Sequence, residues 1–485
     1  MNITTPAWVP HAVFYQIFPD RFASSAALTK PSHLEAWDHA PTTRGFKGGD
    51  LLGVVEKLDY LQDLGATAIY FTPIFQSTAN HRYHTHDYYR IDPILGGNEA
   101  FKVLLDAAHA RGMKVVIDGV FNHASRGFYY FNHALENGRE SPFLDWFHFN
   151  HFPLHAYEEK KPLGYEAWWG IPDLPKFNTN TPAVREYIFR VAEYWIEQGA
   201  DGWRLDVPAE INDDSFWSTF RARVKAVNPE AYIVGEIWHE AQRWLRGDQF
   251  DGVMNYQFTK ACLGFFVGRN LDEKLAADVG YAPVRPVDAA GFAGMLLRNL
   301  GLYDWSINLA QLNVLDSHDT ARFLSIARGD VNALKLATLC QMCYPGAPSI
   351  YYGDEVGMLG AKDPDNRRGF PWETARWDNS LRDYVKRAIA LRARFRALRD
   401  GEFGILHAAG DVVAILRKRG EEKIIAVFNA GEAGTTVRLN VAAVPQIRDG
   451  SMLIAEFGTT ASYAVAGHQA EIRIGPREGL VFRVG

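Results

Sequence analysis

Eight short runs rich in β-branched and aromatic residues recur along the chain with amphipathic helical stretches between them, and this alternation narrows the possible folds more than any other feature. The runs are AVFYQIF (12–18), ATAIYF (66–71), KVVIDGVF (114–121), GWRLDV (202–207), YIVGEI (232–237), GVMNY (252–256), LNVLDS (312–317) and SIYYG (349–353). Runs this apolar suit parallel strands covered on both faces. Helical stretches at 50–65, 98–112 and 181–199 each close on a glycine, where a left-handed cap would sit. Parallel strands joined by right-handed helical crossovers predict an α/β fold, a (β/α)8 TIM barrel.

One connection is too long for a bare crossover. Residues 124–178, between the third and fourth strands, are aromatic and irregular, and they predict an inserted subdomain leaning over the barrel mouth. The barrel is then expected from 1–123 and 179–400. Beyond it the pattern changes to short alternating runs such as DVVAILRK, KIIAVFNA and EGLVFRV, which predict a C-terminal antiparallel β-sandwich over 401–485. That segment has no tryptophan and no evident catalytic set, so it reads as scaffold.

The net charge of −6, with Lys and Arg scattered, provides no electrostatic footprint for a nucleic-acid or anionic-membrane partner. The N-terminal stretch lacks a basic start followed by an apolar run, and no window is apolar enough to span a bilayer; a cytoplasmic protein is expected. Cys340 and Cys343 form a C-x-x-C, but no second Cys/His pair follows at zinc spacing. With Cys262 they are expected to be buried thiols.

In such a barrel the chemistry sits at the C-terminal ends of the strands, so charged residues closing apolar runs are the ones to test. Strand three carries Asp118, with Asn122 and His123 after it; strand four carries Arg204 and Asp206; strand five ends in Glu236; His318 and Asp319 follow strand seven. Carboxylates crowded at one apolar mouth raise each other's proton affinity, a costly arrangement unless chemistry needs it. A retaining glycoside hydrolase needs one carboxylate as nucleophile and one raised-pKa carboxylic acid as proton donor. Arg204, two residues from Asp206 on an alternating strand, faces the same side and is expected to keep Asp206 ionised and in line.

DGVFNH (118–123), GWRLDVPAE (202–210), GEIWHE (235–240) and LDSHDT (315–320) resemble, in order and spacing, the four signature regions of the α-amylase family of glycoside hydrolases. The resemblance implies Asp206 as nucleophile, Glu236 as general acid/base and Asp319 as the carboxylate supporting the transition state. It implies that His123 and His318 bind the sugar being cleaved, that Arg204 orients the nucleophile, and that Asp118 and Asn122 support the site. EIWHE, LPKFN (174–178) and Glu210 look like the neopullulanase, cyclomaltodextrinase and maltogenic amylase group. By the same likeness Tyr83, in HRYHTHDYY, stacks on the sugar, and Asp363 and Arg367, in DPDNRRGFPW, bind the next one. Trp238, Trp168 and Trp169 read equally as sugar contacts or as packing.

The implied activity is hydrolysis of α-1,4 bonds in small maltooligosaccharides, cyclodextrins or pullulan, with transglycosylation. The alternatives are an exo-acting α-glucosidase, a sucrose-isomerising enzyme and, in another class, an inactive carbohydrate-binding member. The first barrel strand begins by residue 12, leaving no room for that group's N-terminal β domain, which builds its dimer; a monomer is expected. No metal or other cofactor is expected either. Asn122 matches a calcium ligand of the wider family, but FASSAALTKPSHLEAW, where relatives carry calcium ligands, has no carboxylate before Glu35.

Overall fold

The computed structural model describes residues 3–158 and 160–485. Each of the eight apolar runs contributes a strand: β1 Phe14–Ile17, β2 Ala68–Phe71, β3 Lys114–Gly119, β4 Gly202–Leu205, β5 Tyr232–Gly235, β6 Gly252–Val253, β7 Leu312–Val314 and β8 Ala347–Tyr351. They form one parallel sheet in the order β6-β5-β4-β3-β2-β1-β8-β7. A parallel bridge between Met254 and Leu312 joins the two edges, so the sheet closes into a (β/α)8 barrel. Apolar side chains from every strand are fully buried, Trp203 and Leu205 of β4 among them.

Helices follow where capping chemistry places them. Asp50 caps the first long helical stretch by accepting from the Gly53 amide, and Gly65 ends it at φ +98°. Gly199, at φ +107°, ends the helix Pro182–Glu197 in the same way. The stretch expected as one helix over 50–65 is two, Leu51–Glu56 and Leu58–Leu64, meeting at Lys57.

Three further differences from the expected elements bear on the site. β4 ends at Leu205 rather than Val207, because Val207 takes a left-handed conformation at φ +35°. β6 has only two residues. After β2 the chain also makes an antiparallel hairpin, Phe75–Ser77 with Thr85–Ile91, and its connecting loop carries Tyr83 over the barrel mouth.

Between β3 and β4 lie the helix Tyr129–Asn137 and a set of isolated bridges, among them His123 with Lys176 and Phe147 with Phe177. The segment packs around an aromatic cluster of Phe128, Phe131, Trp146, Phe147 and Phe177. After the barrel, a six-stranded antiparallel sheet and a separate pair, Thr435–Asn440 with Gln469–Ile474, enclose a second core. Cys262, Cys340 and Cys343 are all buried and unbridged.

Candidate active site

The site grows from a register. β3 and β4 pair in parallel with Asp118 beside Arg204, and β4 pairs with β5 so that Leu205 meets Gly235, the residue before Glu236. Three strand ends thus converge on one guanidinium. Arg204, fully buried, places Nη1 3.0 Å from both oxygens of Asp118 and 3.0 Å from Asp206 Oδ1. Its Nη2 lies 2.9 Å from Glu236 Oε1 and 3.8 Å from Asp319 Oδ2. The Glu236 contact is close but out of hydrogen-bond alignment, whereas those to Asp118 and Asp206 are aligned.

Asp118 is held further by the hydroxyls of Tyr70 and Tyr83, at 3.1 and 3.0 Å. The Tyr83 hydroxyl also meets His318 Nε2, and the two rings lie parallel, 5.5 Å apart. On its other side His318 takes the Gln16 amide at Nδ1, 2.7 Å away; that assigns its proton to Nε2, 3.0 Å from Asp319 Oδ2. Arg367 completes the ring: Nη2 lies 3.3 Å from Asp319 Oδ1, Nη1 lies 3.2 Å from Asp363, and Nε donates to the His318 carbonyl at 2.9 Å. The Asn366 side chain donates to the same carbonyl at 2.7 Å.

The outer positions are arranged differently. His123, buried behind Asn122, meets its amide at Nδ1 at 3.1 Å, and its Nε2 finds no partner among the described residues. Glu210 stands at the rim, 3.2 Å from Lys176 of the inserted segment. Trp238 stacks flat on Tyr256 with ring centres 3.8 Å apart, so one face of its indole is used in packing.

Electrostatics set Asp319 apart from Asp206 and Glu236. Burial raises Asp319, but His318, Arg367 and Arg204 outweigh it and hold the group below the usual carboxylate range. Burial pushes Glu236 up to about 7, with Arg204 opposing and Asp319 adding to the rise. Burial also raises Asp206 well above the usual carboxylate range, with Arg204 opposing and Glu236, Asp118 and Asp319 adding to the rise. Asp206 and Glu236 therefore compete for one proton, and the aligned Arg204 contact favours leaving the charge on Asp206. Burial brings His123 down to about 3, which leaves it neutral.

All eleven residues expected to act or bind, with Asp118 and Asn122, therefore lie at or around one mouth. Gln16, Tyr70 and Asn366 were not anticipated. For Gln16 the only trace in the sequence is an uncharged amide in the middle of the apolar run AVFYQIF, too weak to mark it. The Val207 amide, which donates to Glu236 Oε2 at 3.1 Å, was not anticipated either.

At the position that matches a family calcium ligand, Asn122 gives an Nδ2–H to His123 Nδ1, and Glu35 binds Thr42 and faces Arg21 at 3.5 Å. Among the described residues no group of three His, Cys, Asp or Glu is placed to hold a metal. No helix is long and apolar enough to cross a membrane among the residues described.

Residues 16–400 match the family model for the catalytic domain of α-amylase. A Bacillus cyclomaltodextrinase is 45% identical over 437 residues, covering 89% of this chain and 75% of the relative. Neopullulanase 2 of Thermoactinomyces vulgaris is 43% identical, covering 90% of this chain and 72% of the relative. The debranching enzyme of Nostoc punctiforme superposes with a TM-score of 0.91 at 50% identity, over 99% of this chain and 100% of that one. The chain belongs to the α-amylase family of glycoside hydrolases.

Proposed function

We propose that this protein cleaves α-1,4 bonds of short α-glucans with retention of configuration, through a covalent intermediate on Asp206. The observation that carries the reading is the shared guanidinium: Arg204 meets Asp206 with Nη1 and Glu236 with Nη2. Held on the two nitrogens of one guanidinium, the carboxyls face a common site, as the nucleophile and proton donor of a retaining pair must. The aligned hydrogen bond from Arg204 favours the anion on Asp206, and the weaker contact leaves the proton to Glu236.

An Asp206 oxygen attacks the anomeric carbon while Glu236 gives its proton to the departing glycosidic oxygen. In the second step Glu236 takes a proton from water, and the water oxygen displaces Asp206. A sugar hydroxyl in the water's place gives transglycosylation. Asp319, ionised at working pH, accepts from sugar hydroxyls; neutral His123 donates to them through Nε2, which has no partner among the described residues, and His318 does so when its Nε2–H turns from Asp319 to the sugar. Tyr83 offers a ring face, Arg367 and Asp363 reach the next sugar, and Glu210 and Trp238 line the leaving side. No step uses a metal, so a chelator should leave the rate unchanged.

The similarity to cyclomaltodextrinase and neopullulanase supports small or cyclic substrates for this chain. A second reading, cleavage of α-1,6 bonds, is favoured by the full-length likeness to a debranching enzyme. Chromatography of products from maltotriose, β-cyclodextrin and pullulan separates the two. Panose from pullulan and opening of the cyclodextrin are expected; maltotriose as the pullulan product would favour the second reading, and single glucose units with cyclodextrin untouched would mean an exo-acting α-glucosidase. A monomer is proposed on the same footing, to be checked by sedimentation.

A further inference from the structure

Trp169 is the most exposed large apolar side chain of the described residues, with 80% of its surface in water. It also holds a left-handed backbone conformation, at φ +51°, that a bulky residue avoids. Burial would stabilise such an indole and an extended backbone would relax it, so its position is unfavourable twice over. The loop does not leave it loose. Trp168 donates to the Leu174 carbonyl at 2.9 Å, Leu174 donates back to Ile171 at 3.0 Å, and the Tyr165 hydroxyl ties down the Pro172 carbonyl at 2.7 Å.

Its neighbours give the position a direction. Trp169 stacks on Trp168 with ring centres 4.5 Å apart and planes 14° from parallel. Trp168 in turn stacks on His123, at 5.3 Å and 17°. A ladder of three nearly parallel rings therefore runs from the buried mouth of the barrel out onto the inserted segment and ends in a bare face. Pyranose rings present flat C–H surfaces that pack on aromatic faces, and a rigid indole binds one with little loss of conformational freedom.

We propose that Trp169 is an outer sugar-binding platform, which holds a glucose unit of the chain several units from the scissile bond and so sets a preference for longer glucans. The proposal rests on the α-glucan reading above. Because the ladder starts at His123, the occupant it fits is a further part of the same substrate rather than a separate partner.

The test compares maltose, maltotriose and maltohexaose. In an Asp206→Asn background, binding is followed by titration calorimetry with and without Trp169→Ala; kcat/KM is measured for the same change in the active enzyme. Trp169→Ala should weaken maltohexaose about tenfold, with the loss shrinking as the chain shortens, and Trp169→Phe should restore most of it. An equal loss on all three sugars, or none on any, would overturn the proposal. If the unmodified enzyme cleaves no α-glucan at all, the functional reading fails first, and independently of Trp169.

Discussion

Asp206 and Glu236 differ by the quality of one contact each makes with Arg204, and the proposed roles of nucleophile and acid rest on that difference. The acid must carry its proton to act. With Glu236 pushed up to about 7, activity should fall as pH rises through that value, and because burial raises Asp206 as well, the acid limb, where Asp206 takes up a proton, should lie above the ordinary carboxylate range and leave a narrow bell. Glu236→Gln should lower kcat at least a thousandfold and abolish the alkaline limb; a rate profile unchanged in shape would contradict the assignment. Arg204, Asp206, Glu236 and Asp319 were legible in the sequence because charge at the end of an apolar run has few structural excuses. Gln16 sits in just such a run, yet an uncharged amide there raises no comparable conflict. Its value appears only when the fold brings it 2.7 Å from His318.

At the scale of elements, the turn after β4 matters most. Val207 precedes Pro208 and lies at φ +35°, a conformation that β branching and a following proline both disfavour, and it aims its amide at Glu236. Val207→Pro removes that donor and forbids the conformation, so kcat on maltotriose should fall at least a hundredfold. Val207→Gly keeps the amide and tolerates the angle, and should stay within about threefold of the parent. Equal rates for the two variants would show that the amide does nothing. The barrel strands were readable as apolar runs, but their ends were not. Alternation from Trp203 through Leu205 to Val207 continues in the sequence, while the backbone has already turned away to deliver Asp206 and the Val207 amide. The hairpin carrying Tyr83 was hidden for a related reason: Phe75–Ser77 is too short and too mixed to show a period.

In the whole molecule, the C-terminal sheet is tied to the barrel through Arg417, a buried cation with no carboxylate partner among the described residues; Arg392, a second such cation inside the barrel, shares the Leu398 carbonyl with it. Arg417 donates to the carbonyls of Cys343, Leu398 and Gly401 at 2.7 to 2.8 Å, and Arg392 to those of Met342, Leu398, Pro10 and Gly346 at 2.6 to 3.0 Å. Burial brings their guanidinium groups down to about 10 and about 9. Arg417→Met would strand the Cys343 and Gly401 carbonyls, since Leu398 keeps Arg392, and should cost about 3 kcal/mol in denaturant unfolding, with kcat at 25 °C unchanged in the folded fraction. An equal loss of kcat would mean that the C-terminal sheet acts on the site. The overall plan, a barrel followed by an antiparallel unit, was legible because helical and alternating periods differ so plainly. The junction was not, since Arg417 and the barrel carbonyls it reaches carry no mutual signal in the sequence until they are packed together.

The central claim is a covalent glycosyl intermediate on Asp206, and direct trapping tests it. The enzyme is incubated with 5-fluoro-α-D-glucopyranosyl fluoride, quenched in acid, digested and sequenced by mass spectrometry. One fluoroglucosyl group on the peptide that contains Asp206, absent from Asp206→Asn, is the predicted result. A label on any other carboxylate, or inactivation with no label while the enzyme turns over maltotriose, would contradict the account.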